Sequence, residues 1–180
     1  LPDPPLLADK LGSLGVAPGT QVVAYDDAGG MFAARLWWLL RWLGHERVAV
    51  LNGGLQAWTA AGHPLTTDKP AAVATAFEPR LQKSMRVDAE YVQSHLCSPA
   101  MLLIDARSPD RFRGENETID PVGGHIPGAR NRFFRDNLST DGRFKPPAQL
   151  AAEQPYEDWL EAAQYKLKDL DLVEPELAQL

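Results

Sequence analysis

Apolar positions along this chain alternate between runs of helical period and short continuous stretches, with glycine or proline at almost every change. Leu7, Leu11 and Leu14 recur at helical spacing and Gly15 follows as a terminal cap, which predicts a helix over 6–14. A Pro-Gly turn over 16–20 leads into a short apolar strand at 22–25, a helix over 31–43 and a second apolar strand at 48–51. Strand, helix and strand of these lengths make one βαβ unit with a parallel, right-handed crossover, so the chain is assigned to the α/β class. Only Arg35 and Arg41 interrupt the apolar surface of the 31–43 helix, which predicts burial on more than one side. Asn52-Gly53-Gly54 forms another tight strand-to-helix turn, and a short helix over 55–60 stops at Gly62-His63-Pro64.

Residues 65–86 are rich in Thr, Ala and Pro without a sustained period and read as a linker between two modules. In the second module Asp88 can cap a helix running to Leu96, 101–104 is a short apolar strand, and Ser108-Pro109 starts another helix. Glu115 to Gly124 is a polar loop; a strand is expected near 130–134 and a helix from 146–150. From 151 the pattern changes to an acidic amphipathic helix with Trp159, Ala162, Ala163, Leu167 and Leu170 on one face. This tail either docks on the body, the simpler reading, or meets a protein partner.

Charge sharpens that division. Residues 1–150 hold 16 Lys+Arg and 16 Asp+Glu, and residues 151–180 hold two lysines and eight acids, so the net charge of −6 belongs to the last thirty residues. An acidic balance argues against nucleic-acid binding. Arg130, Arg132 and Arg135 alternate with Phe133 and Phe134, a pattern that fits an edge strand with buried aromatics better than a base-stacking surface. The four histidines lack an i, i+4 pair, and His95 beside the single cysteine, Cys97, makes no ligand set, so no metal site or cofactor is expected. The tryptophans are expected in the core. No run of eighteen apolar residues and no secretory pattern occurs, and the single cysteine, Cys97, suits a reducing, cytoplasmic compartment. The absence of an initiator methionine suggests a piece or a processed product.

The corner Asp26-Asp27-Ala28-Gly29-Gly30 carries the main chemical cue. A strand-to-helix turn at the carboxyl end of a parallel strand gathers unpaired N–H groups and attracts anions. Two carboxylates stand here, where acyl, phosphoryl or sulfur transfer would need a nucleophile or a cation.

Val22-Val23-Ala24-Tyr25-Asp26, Arg35-Leu36-Trp37-Trp38, Val50-Leu51-Asn52-Gly53-Gly54 and Trp58 resemble the second half of the first domain in tandem-domain rhodanese sulfurtransferases. Asp105-Ala106-Arg107, Arg111-Phe112-Arg113-Gly114 and Gly124-His125-Ile126-Pro127-Gly128-Ala129 resemble the first half of the second domain. The resemblance covers about 150 of the 180 residues. It implies a three-layer fold, a parallel sheet flanked by helices, present as the back half of one domain (1–64), a linker (65–86) and the front half of the next (87–150), followed by the unrecognised tail (151–180). Together the halves hold most elements of one domain in permuted order, and so could alternatively pack as a single unit.

The resemblance also implies thiosulfate or 3-mercaptopyruvate sulfurtransferase activity, in which a cysteine persulfide carries sulfur from a small anionic donor to cyanide or a thiol. In this family the first domain is silent and has an acid at the cysteine position. Asp27 is assigned there, with Asp26 as the second choice. The cysteine loop of the second domain has no counterpart, and Cys97 lies after a helix and before a strand, the reverse of the required order. The expectation is an incomplete or inactive chain without a catalytic residue; the alternative is a non-catalytic rhodanese-fold interaction module. Arg111 aligns with the arginine that binds the donor's anionic group. Its competing reading is a surface arginine paired with Asp110 or Glu115. Arg107 is expected to pair with Asp105, and His125 to hold its turn by hydrogen bonds. Asp120 stands where mercaptopyruvate-type members often carry a second arginine, which leans the donor toward thiosulfate.

Overall fold

The computed structural model describes residues 1–96 and 98–153, together with the backbone of Leu172–Val173. The chain divides into two compact units, Leu1–Arg86 with Leu170–Leu180, and Val87–Asp169.

In the first unit Asp3 caps helix α1 (Pro4–Ser13), its carboxylate accepting from the Leu6 N–H at 3.1 Å, and prolines fill the first helical positions where no N–H partner is needed. Strand β1 (Val22–Ala24), helix α2 (Met31–Trp42), strand β2 (Val48–Leu51) and helix α3 (Gly54–Ala60) follow in the expected order. The strands are parallel, with Val22 opposite Val48 and Ala24 opposite Val50. All four residues of β2 are buried, as an apolar strand covered on both faces must be. The expectation that α2 is buried on several sides holds for its second half; in the first half Ala33 alone is buried, against Ala24 and Val50. Leu39, Leu40 and Trp42 enter a core with Leu11, Val16, Leu43 and Val48, while Met31 and Phe32 in the first turn are exposed. Leu40, Leu43, Val48 and Val50 are fully enclosed and contribute roughly 1.5–3 kcal/mol each. Trp42 is buried and stacks on Trp38 at 5.9 Å, whereas Trp37, Trp38 and Trp58 are half-buried.

The 65–86 segment is not a free linker. The Thr75 N–H donates to the Gly12 carbonyl at 2.9 Å and its hydroxyl to the Val16 carbonyl at 2.9 Å. Farther along, the N–H groups of Arg80 and Gln82 donate to the carbonyls of Leu43 and Trp42 at 2.7 and 2.8 Å. Phe77 and Met85 pack against the core, and Phe77 meets the buried His45 ring at 5.8 Å. The segment is a strap over the ends of α1 and α2. Gly12 and Gly44 permit that approach, because a Cβ on either would stand 2.5 or 2.6 Å from the Thr75 or Arg80 carbonyl oxygen.

The described parts of the tail are a helix end and a short strand. Residues 151–152 complete helix α6 (Pro147–Ala152), and Glu153 accepts from Arg132 and Lys145 at 3.1 and 2.9 Å, so the compositional break at 151 is not a structural one. Strand β5 (Leu172–Val173) pairs in parallel with β2, giving the order β1-β2-β5. This end of the tail therefore docks on the first unit's sheet. The helical face expected over 159–170 lies outside the described residues.

In the second unit helix α4 (Ala89–Ser94) is capped by Asp88, which accepts from the Tyr91 N–H at 2.8 Å. Strand β3 (Ile104–Asp105), helix α5 (Pro109–Arg113) and strand β4 (Arg130–Asn131) follow. β3 begins later than the apolar run suggested, because its ladder is set by β4, with Ile104 opposite Arg130 and Asp105 opposite Asn131. β4 ends early where Phe134–Asn137 turns into a 3-10 helix, so Phe133 and Phe134 meet edge to face at 4.9 Å, half-buried, instead of alternating along a strand. The two sheets are separate, one in each unit. Among the described residues of the second unit only Leu150 is buried, while residues 101–104, Phe112, Phe133 and Phe134 are half-buried. No described helix is long and apolar enough to cross a membrane.

Candidate functional site

Two groups of polar side chains stand out, one in each unit. In the first, β1 ends against a turn in which Gly29 and Gly30 have φ of 76° and 84°, left-handed values that side chains resist. The N–H groups of the turn and of the first turn of α2 consequently converge. The Asp26 carboxylate fills the space between them: one oxygen accepts from Ala28 and Gly30 at 2.9 and 2.8 Å, the other from Phe32 and Ala33 at 2.9 and 2.8 Å. Burial is the largest single influence on its acidity and pushes the pKa up, yet the four N–H bonds together hold it below the ordinary carboxylate value.

The Asn52-Gly53-Gly54 turn walls this corner. The Leu55 N–H donates to the Asp26 carbonyl at 3.0 Å, and a Cβ on Gly54 would overlap that oxygen. Asp27, the residue assigned to the cradle from sequence, is exposed, and its carbonyl accepts from the Gln56 amide at 2.7 Å. The carboxylate inside the ring is that of Asp26. A one-residue choice between adjacent acids depends on which way the turn aims each side chain, and the motif alone does not show it. Elsewhere in this unit a cavity of about 300 Å³ lies among Val23, Tyr25, Leu51, Leu55, Trp58, Pro64, Leu65 and Thr66, without a charged group in its lining.

The second group surrounds Glu117. Arg107 pairs with Asp105 as expected: Nε lies 3.0 and 3.1 Å from the two carboxylate oxygens, and Nη2 lies 2.6 Å from Oδ2. Nη2 also donates to the Gly124 carbonyl at 2.6 Å, which ties β3 to the turn before His125. Arg111, in the short helix α5, takes neither partner expected for a surface residue. Its Nε and Nη2 hold the two oxygens of Glu117 at 3.0 and 2.9 Å, and Nη2 also reaches Asp120 at 3.0 Å. Asp110 instead accepts from the Arg111 main-chain N–H and the Asn116 amide, and Glu115 pairs with Arg113. Hydrogen bonds from Ser108 and Asn116 hold the Asp110 carboxyl at about 2.

Glu117 escaped the reading of the sequence. Its side chain is 5% exposed, and it accepts from the N–H groups of Ile119 and Asp120 at 2.9 and 3.0 Å as well as from both arginines. Those two N–H bonds are the first cause of a pKa lowered to about 2. The loop has no periodicity to mark one acid above another; the one available cue was an excess of acids close after three arginines. His125 holds its turn through Nδ1, which donates to the Phe112 carbonyl at 2.8 Å, and its ring stacks on Phe112 at 3.7 Å. Cys97 lies outside the described residues.

The model of the Rhodanese-like domain matches residues 1–61. The chain is 52% identical over 151 residues to a probable 3-mercaptopyruvate sulfurtransferase of Pseudomonas aeruginosa, covering 83% of this chain and 53% of that protein. It is 36% identical over 183 residues to the thiosulfate sulfurtransferase of Bos taurus, covering 99% of this chain and 58% of that one. The chain thus spans about half the length of the curated relatives it matches. Among solved structures, SseA from Escherichia coli, described with the rhodanese fold of 3-mercaptopyruvate sulfotransferases, superposes with a TM-score of 0.78 at 26% identity, over 96% of this chain and 72% of that one. An anaerobic ergothioneine biosynthesis enzyme from Chlorobium limicola gives a TM-score of 0.73 at 25% identity, over 84% and 42%.

Proposed function

Because the chain belongs to the rhodanese family of sulfurtransferases, we propose that it represents a protein handling a small anionic sulfur donor, thiosulfate or 3-mercaptopyruvate, and that its residues 1–180 do not by themselves transfer sulfur. The observation that carries this reading is the Asp26 carboxylate seated among four main-chain N–H groups. Family chemistry needs a thiolate in the matching cradle of the second domain; the first domain carries an acid at this position in active members as well, and the single cysteine of residues 1–180, Cys97, lies before a strand and not after one. The thiolate attacks the outer sulfur of thiosulfate, the S–S bond breaks, and sulfite leaves with the bonding pair; cyanide then takes the sulfur from the persulfide and the thiolate returns. N–H groups at a helix start lower the thiol pKa and hold the anionic persulfide. A carboxylate oxygen offers no sulfur to carry the transferred atom, and its charge excludes a second anion from the same cradle.

Arg111 is the proposed anchor for the donor's anionic group: Glu117 holds its Nε and Nη2, but the guanidinium is partly exposed and Nη2 also faces the half-exposed Asp120, where an oxygen of a carboxylate or sulfonate can accept. The lone thiol suits a reducing compartment such as the cytoplasm. Incubation with thiosulfate and cyanide, followed by thiocyanate colorimetry and intact-mass measurement, tests the reading. No thiocyanate above the protein-free rate and no added sulfur atom are expected. A stoichiometric persulfide on Cys97 would refute it.

A further inference from the structure

The Arg111 guanidinium has two carboxylate neighbours of unlike kind. Glu117 is 5% exposed and fixed by two main-chain N–H bonds in addition to its arginines. Asp120 is 53% exposed, and its Oδ2 lies 3.0 Å from Arg111 Nη2 and 3.7 Å from Arg107 Nη1. One oxygen of this half-exposed carboxylate therefore sits between two guanidinium groups, where an oxygen of an external anion would find the same donors. Charge makes the two occupants exclusive. Asp105, Glu117 and Asp120 already outnumber Arg107 and Arg111, so a further anion meets repulsion unless one acid leaves.

Building on the reading of Arg111 as the donor's anchor, we infer that Asp120 is a displaceable internal anion: it occupies the donor subsite between Arg107 and Arg111 and yields it to a small sulfur-containing anion. Glu117 is the permanent counter-ion that keeps the Arg111 fork in place, and Asp120 is the exchangeable one. The exchange sets the threshold for entry. A weakly binding anion does not repay the loss of the Asp120 contacts, whereas a donor with several acceptor oxygens engages both arginines.

The test is titration of the full ¹⁵N-labelled chain with sodium thiosulfate at constant ionic strength, followed at the Arg111 Nε–H resonance, in the wild type, Asp120→Ala, Asp120→Asn and Arg111→Lys. A parallel arm uses 3-mercaptopyruvate to separate the two donor sources. Asp120→Ala is expected to lower the Kd roughly threefold to tenfold, the scale of one partly exposed ion pair with the repulsion removed. Asp120→Asn should change it in the same direction. Retained amide shifts at Ile119 and residue 120 show that Glu117 still holds the loop. Equal or weaker binding in both Asp120 variants, with the wild type binding through Arg111, overturns the displacement model and leaves the anchor standing. Thiosulfate binding by none of the proteins, or equally by Arg111→Lys, removes the anchor itself and the displacement model with it.

Discussion

Replacing Asp26 with alanine removes the acceptor of four N–H groups at once, and their surroundings set the cost. Ala33 is 3% exposed, so its N–H loses a charged partner in a place water reaches poorly, a penalty of about 1–3 kcal/mol. The Phe32 N–H belongs to an exposed residue and regains water. Loss of a helix-start acceptor for the remaining groups adds about 1 kcal/mol. Asp26→Ala should therefore destabilise the first unit by about 2–4 kcal/mol, a large share of the 5–15 kcal/mol typical of a domain. Urea unfolding followed by tryptophan fluorescence measures it, because Trp37, Trp38, Trp42 and Trp58 all lie in that unit. The pH dependence supplies an internal control. The folded-state pKa of Asp26 is depressed, so its contribution is complete above the unfolded carboxylate value of about 3.9 and is lost as pH falls through the folded value. The gap between wild type and variant should be full at neutral pH and close in acid. A loss below about 0.5 kcal/mol, or one of constant size from neutral to strongly acidic pH, would refute the assignment of the cradle bonds as charge-assisted.

Asp26→Cys in a Cys97→Ser background should place a thiol among the same N–H groups and bring its pKa below the ordinary 8.5 or so; the pH profile of iodoacetamide alkylation reads this, and an ordinary titration would show that the ring does not accommodate sulfur. Phe77→Ala should destabilise the first unit by roughly 1–3 kcal/mol, less than a fully buried aromatic, and open the 65–86 strap to limited proteolysis; unchanged cleavage would mean that the strap is held by its main-chain bonds alone. The second unit should lose structure in acid, since Asp110, Glu117 and Glu153 each titrate at about 2 when folded, below their unfolded values. Their support is complete above about pH 4.5 and declines as pH falls toward 2, so the protection factors of the amides of Ile119, Asp120 and Gly124, taken relative to intrinsic exchange at each pH, should fall across that window and stay constant above it.

The strand-helix-strand order of the first unit was legible because an apolar strand, a glycine turn and a tryptophan-rich helix are local patterns that the sheet only has to accept. The same holds for the cap at Asp88 and for the Arg107–Asp105 fork, which joins residues two apart. The strap was not legible: its Pro and Thr composition reads as linker, and its role comes from carbonyls near the ends of α1 and α2, at Gly12, Trp42 and Leu43, that accept its N–H groups. The pairing of β5 with β2 joins positions more than a hundred residues apart and has no local signature.

By itself the sequence determined the class, the corner and the family, because each rests on residue types at short spacing. Only the tertiary structure decided which of two adjacent aspartates enters the amide ring, and that the carboxylate facing Arg111 is Glu117, drawn from an aperiodic loop. The physical reason is common to both. Side-chain direction and ion pairing depend on where glycine turns and loop N–H groups end up in space, and a linear pattern does not encode that position.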